Sequence, residues 1–134
     1  MSRPLEVAGV EHTGMIVRDS QGLADWYSRV LGARVVSRSD DSPPIIFLSF
    51  GGASLLELIP ADGPDAPRKP SDHVHFCLAV EDLEKAVAAL AALEISLERP
   101  VFLAYDGSPV AFFRDPEGNL LQLVQRVVPL VAFT

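Results

Sequence analysis

Cysteine is nearly missing from this chain: Cys77 stands alone, so there is no internal disulfide and no cysteine pair to hold a metal. Any metal site must then be built from histidine, carboxylate and amide groups. Long apolar runs are also missing. None approaches the roughly 18 residues that span a bilayer. The N-terminus, with Arg3 followed by Pro4, Glu6 and Gly9, lacks the apolar stretch of a signal peptide. The default expectation is a cytoplasmic protein with no membrane partner. Basic charge is scarce as well, with 11 Lys and Arg against 18 Asp and Glu and a formal charge of -7. Apart from Arg68-Lys69 the basic residues are scattered, which argues against nucleic acid and favours a small solute as partner.

What is present suits one folded domain. The 134 residues are 49% hydrophobic and 22% charged, an ordinary balance for a chain that buries about two thirds of its unfolded surface around a core.

An internal repeat is the clearest signal. His12-Thr-Gly-Met-Ile-Val17-Arg-Asp19 aligns, at a shift of 63 positions, with His75-Phe-Cys-Leu-Ala-Val80-Glu-Asp82. Each stretch opens on a histidine and ends on an aspartate placed to cap a helix. The first half reads as a strand over 10–17 and a helix capped by Asp19 or Ser20, with Leu23, Trp26, Tyr27 and Val30 as its buried stripe. Gly32 ends that helix, and strands follow over 33–37, 45–50 and 54–59. The second half repeats the plan, with a strand over 73–80, a helix over 83–93, a weak strand over 95–98, and strands over 110–114 and 120–125 separated by a tight turn at 115–119. The expected organisation is a single domain with one module at 8–60, a proline-rich linker at 61–72, a second module at 73–126 and an apolar tail at 127–134. Neither four-stranded unit can bury its apolar face alone, so the sheets are expected to share a core or cavity.

Period-two alternation puts His12, Gly14 and Ile16 on one face of the first strand, and His73, His75, Cys77 and Ala79 on one face of its counterpart. Glu57, within Leu55-Leu56-Glu57-Leu58-Ile59, is costly to bury unless it is paired or bound. Gln122 holds the corresponding place in Leu120-Leu121-Gln122-Leu123-Val124, 65 positions later. Two imidazoles, a carboxylate and an amide at repeat-related positions are a candidate ligand set for a divalent ion of the Zn, Fe, Ni, Co or Mn class. The competing reading gives the histidines hydrogen-bonding roles at strand edges and pairs Glu57 with Arg18, Arg34 or Arg114. His73 is expected to be solvated and Cys77 to be buried and structural. Phe102, Tyr105 and the Asp106-Gly107 turn are read as a rim or an edge loop, and the tail as packed on the domain or on a second chain.

These features resemble the vicinal oxygen chelate superfamily, which includes glyoxalase I, extradiol dioxygenases, methylmalonyl-CoA epimerase, fosfomycin-resistance enzymes and bleomycin-resistance proteins. The resemblance covers roughly residues 8 to 126. It is strongest from His12 to Gly32, with Trp26-Tyr27 and Val30-Leu31-Gly32, and from Phe112 through Asp115-Pro116-Glu117-Gly118-Asn119 to Leu123. It implies an α+β fold of two βαβββ modules forming a cupped mixed sheet with helices outside. It also implies metal ligands at His12, Glu57, His75 and Gln122, with Glu57 and Gln122 as the catalytic pair, and a homodimer. The final ligand position is glutamate in most metal-dependent relatives, and the glutamine here cannot serve as acid or base. Three functions are compatible with the resemblance: a metal-dependent lyase or isomerase of glyoxalase-like type, a non-haem iron dioxygenase, or a small-molecule binding protein of the resistance type.

Overall fold

The computed structural model describes residues 4–61 and 74–132, which divide into two compact units, one from each stretch. His73 and most of the linker lie outside the described residues.

The first unit runs β1 (His12–Val17), α1 (Ser20–Leu31), β2 (Arg34–Arg38), β3 (Ile46–Ser49) and β4 (Leu55–Pro60). Its sheet has the order β1-β4-β3-β2, with β1 parallel to β4 and the other pairs antiparallel. The crossover from β1 is made by α1. Asp19 caps this helix by accepting the Gly22 amide at 2.9 Å. Gly32 ends it at φ 73°, a left-handed conformation in which its N–H and that of Ala33 satisfy the last carbonyls.

Leu23, Ala24 and Tyr27 of α1 pack on one face of the sheet with Val17, Ile46, Leu48, Leu56 and Leu58, all buried. Each large apolar side chain removed from water there contributes roughly 1.5–3 kcal/mol. The buried stripe differs from the expected one. Trp26 and Val30 are only half-buried, whereas Ser20 is fully buried. Residues 20, 23, 24 and 27 form one helical face and 26 and 30 flank it. The Ser20 hydroxyl donates to the Pro44 carbonyl at 2.6 Å, so its burial leaves no polar group unsatisfied and ties the helix to the loop before β3.

The second unit repeats the order with β5 (Phe76–Ala79), α2 (Leu83–Ala92), β6 (Phe102–Leu103), β7 (Pro109–Arg114) and β8 (Leu120–Val124). Its sheet order is β5-β8-β7-β6, with β5 parallel to β8. Leu83 and Leu90 are the buried residues of α2, and Ala111, Phe113, Leu121 and Leu123 are buried on the sheet beneath it. Asp82 caps the helix through the Lys85 amide at 3.0 Å, and Gln125 accepts the Leu83 amide at 2.8 Å. Both units thus have the βαβββ order and mixed sheets expected from the repeat.

One local expectation fails, and one of two alternatives for the tail is not met. The segment 95–98 forms only an isolated bridge from Leu97 to Phe113, and the fourth strand is instead Phe102–Leu103. Pro100 has no N–H to continue a ladder, so pairing breaks and resumes two residues later. Among the described residues of the tail, Val127, Val128, Leu130 and Val131 are exposed, so these residues do not pack on the domain. Where the tail begins, Arg126 is bound to Asp106 at 3.1 Å and the Val127 amide donates to the Ser108 hydroxyl at 3.0 Å.

Candidate functional site

In the first unit the face opposite α1 carries the candidate residues. Parallel register sets Gly14 beside Glu57, and antiparallel register sets Phe47 on the other side of Glu57. His12, two residues before Gly14, projects from the same face. Its Nε2 lies 3.3 Å from Oε1 of Glu57, whose side chain is 17% exposed. Its Nδ1 lies 2.9 Å from Oε1 of Glu11. The Phe47 ring packs edge-on to the imidazole with centroids 5.3 Å apart. A side chain at position 14 would begin with a Cβ only 3.4 Å from Glu57 Oε1, so glycine there leaves the carboxylate its place.

This arrangement has a chemical consequence. A neutral imidazole that donates Nδ1–H to Glu11 presents its Nε2 lone pair to Glu57. Two acceptors 3.3 Å apart repel unless a proton or a cation lies between them. Donors at about 2.0–2.2 Å from one metal ion stand about 3 Å apart when they subtend a right angle, so the His12–Glu57 pair fits two positions of such an ion. The carboxylate behind the imidazole supplies the orienting partner that metal-bound histidines ordinarily have.

In the second unit Cys77, Gln122 and Phe112 are aligned across β5, β8 and β7. His75 precedes β5 and packs edge-on to Phe112 with centroids 5.3 Å apart and an interplanar angle of 89°. The same contact, at the same separation and angle, joins His12 to Phe47 in the first unit. Among the described residues neither the His75 nor the Gln122 side chain has a hydrogen-bond partner, and no group of three or more His, Cys, Asp or Glu that could hold a metal is formed. The structure therefore joins His12 to Glu57 directly, and places His75 and Gln122 on one face of their own sheet without a bond between them.

Cys77 corrects an expectation. It is exposed on the open face of its sheet, at the place that Gly14 takes in the first unit. The protein around the thiol still desolvates it and pushes its pKa up, against a smaller lowering by the charge of Arg126. A raised pKa keeps the thiol protonated at neutral pH and makes it a poor nucleophile.

Sequence reasoning missed Glu11, Phe47 and Phe112. The two phenylalanines are 65 positions apart, the spacing already seen for Glu57 and Gln122, and that interval was the signal available. Glu11 carried no such mark, because Val74 holds the corresponding place before His75.

Comparison with known proteins agrees with this architecture. Residues 9–123 match the model of the Glyoxalase/Bleomycin resistance protein/Dioxygenase superfamily. Lactoylglutathione lyase of Pseudomonas aeruginosa is 28% identical, the match covering 85% of this chain and 80% of the lyase. Mitochondrial methylmalonyl-CoA epimerase of Homo sapiens is 29% identical, over 87% of this chain and 73% of the epimerase. A superfamily member from Sphaerobacter thermophilus shares the fold with a TM-score of 0.76 at 23% identity, over 91% of this chain and 100% of that one.

Proposed function

Because the chain belongs to the glyoxalase/bleomycin-resistance/dioxygenase superfamily, we propose that it is a metal-dependent enzyme of glyoxalase-like type, a lyase or isomerase acting on a small oxygen-chelating substrate. Membership in that family supports a role in binding or transforming a small molecule. The observation that carries the finer reading is the His12–Glu57 pair, with Glu11 behind the imidazole. In this reading His12 and Glu57, with His75 and Gln122, hold a divalent ion of the Zn, Fe, Ni, Co or Mn class. Such an ion supplies Lewis-acid polarisation of a substrate oxygen.

The remaining roles belong to the chain. Glu11 fixes the ring orientation of His12. Glu57 is the one carboxylate of the set and takes up the substrate proton, at the oxygen not shared with His12. Gln122 carries no charge and has no other hydrogen-bond partner among the described residues, so its amide orients substrate oxygen without exchanging a proton. Phe47 and Phe112 pack edge-on against their histidines and hold one side of each ring. The exposed apolar side chains of Leu5, Val7 and Val10 and of the tail would be covered in a homodimer, which is part of the proposal and is checked by sedimentation. No helix among the described residues is long and apolar enough to cross a membrane, and a cytoplasmic location is proposed with the rest.

One observation favours a second reading, a small-molecule binding protein without catalysis: Gln122 leaves the set a single charged member. Elemental analysis of the full chain, repeated on a His12→Ala, His75→Ala double variant, separates the two. The enzyme reading expects near-stoichiometric metal that the variant loses. A metal-free protein under metal-replete conditions overturns it and leaves the binding reading.

A further inference from the structure

The second module carries an aromatic ladder that the first does not. Beyond the His75–Phe112 contact, Phe112 lies nearly parallel to Phe102, at 6.0 Å between centroids and 13° between planes. Cζ of Arg99 then sits 3.5 Å from the centre of the Phe102 ring. Strand register explains the run. Phe102 pairs with Val110 and Phe112 with Gln122, so both rings project from the face that carries Gln122 and Cys77. In the first module the residue paired with Phe47 on the outer strand is Ser37, and the run stops after one ring.

Among the described residues nothing neutralises the charge of Arg99. Neighbouring Glu98 is bound to Arg114 at 2.8 Å, and Arg126 is bound to Asp106 at 3.1 Å. Among the described residues Arg99 has the Phe102 ring and no ion-pair partner. A guanidinium resting on a ring is oriented through its flat face, which leaves the in-plane N–H donors free. Those donors match the two oxygens of a carboxylate or phosphate. An exposed cation held flat with unused donors can pair with an anion.

We propose that Arg99 binds the anionic group of the substrate, while the apolar body of the substrate lies along Phe102 and Phe112 toward His75. The substrate class is then a small organic carboxylate or phosphate with an apolar portion. The direction of its reactive end rests on the metal-site reading above; the anion site rests on Arg99 and the two rings alone.

The test uses the full chain, labelled with 15N and titrated with 4-phenylbutyrate and with its neutral counterpart 4-phenylbutanol. The carboxylate shifts amides in residues 99–103 and 110–114. Arg99→Gln weakens it by about tenfold, as expected for loss of a charge-assisted pair, and leaves the alcohol within about twofold. Arg99→Lys keeps the charge but not the planar fork, and restores part of the loss. Phe102→Leu weakens both compounds. Carboxylate affinity unchanged in Arg99→Gln, or equal losses of acid and alcohol, overturns the proposal. Metal content measured on the same samples keeps the two readings apart: Arg99→Gln retains metal, and metal-free protein that still binds phenylbutyrate through Arg99 refutes the ligand set while supporting the anion site.

Discussion

In the first module the histidine at the head of the leading strand stands between two carboxylates, Glu11 and Glu57. In the second, its counterpart His75 has no carboxylate beside it among the described residues and packs instead at the end of an aromatic ladder closed by Arg99. The backbone plan, the strand order and the edge-on phenylalanine are common to both. The difference lies in the side chains on the open faces. One face gathers negative charge around an imidazole, which suits a cation; the other presents apolar rings and a guanidinium with no ion-pair partner among the described residues, which suit an organic anion. A duplicated scaffold thus carries two unlike chemistries because the helix-facing residues maintain the fold and the opposite faces are free to diverge.

That contrast can be broken at its most charged point. Glu57→Gln makes the two terminal positions alike, and on the proposed reading lowers metal affinity by about a hundredfold or more; Gln122→Glu makes them alike in the other sense and tightens binding. Competition against a chelator measures both. Equal affinity in all three proteins would place these side chains away from the ion. A smaller effect is expected from Glu11→Gln, about tenfold in the same assay, because it removes the partner that orients His12 and not a ligand.

The helix ends offer a comparison at the level of stability. Gly32 takes the left-handed position after α1 at φ 73°, and Glu94 takes it after α2 at φ 61°. Gly32→Ala is expected to destabilise the protein by about 1 kcal/mol, and Glu94→Gly to stabilise it by about 0.5–1 kcal/mol, both read from denaturant midpoints. Opposite signs support the contrast; a loss in both would refute it.

The smallest expected effect concerns Asp106. Its pKa lies below the ordinary carboxylate value, first because the Ser108 amide donates to it and then through the Ser108 hydroxyl and Arg126, with desolvation opposing. A lowered folded-state pKa stabilises the protein above the unfolded pKa, and that contribution is lost as pH falls through the folded value. Asp106→Asn should therefore lower stability slightly at neutral pH and flatten its decline in acid, seen in thermal melts across that range. A decline as steep as that of the parent would remove Asp106 from the account.

Much of the scaffold was legible in the residue pattern. The 63-residue repeat marked the two modules, Asp19 and Asp82 marked the helix starts, and alternation sorted the faces of each strand, while the register of β1 on β4 decided that His12 and Glu57 meet. These signals are local or periodic, and local chemistry determines them. Trp26 was misjudged because helical spacing alone does not say which side of a stripe meets the sheet. The weak strand was misplaced because Pro100 acts on pairing with a distant strand.

The sequence by itself determined the repeat, the order of elements, the starts of both helices and the repeat-related places of His12, Glu57, His75 and Gln122. Only the tertiary structure decided that Glu11 turns back onto His12, that Phe47 and Phe112 flank the histidines, that Cys77 is exposed, and that Arg99 lies on Phe102 while Glu98 neutralises Arg114. The reason is physical. Caps and alternation depend on neighbours in the chain, whereas the partner of a charged or aromatic side chain is set by strand register and by what else reaches the same face.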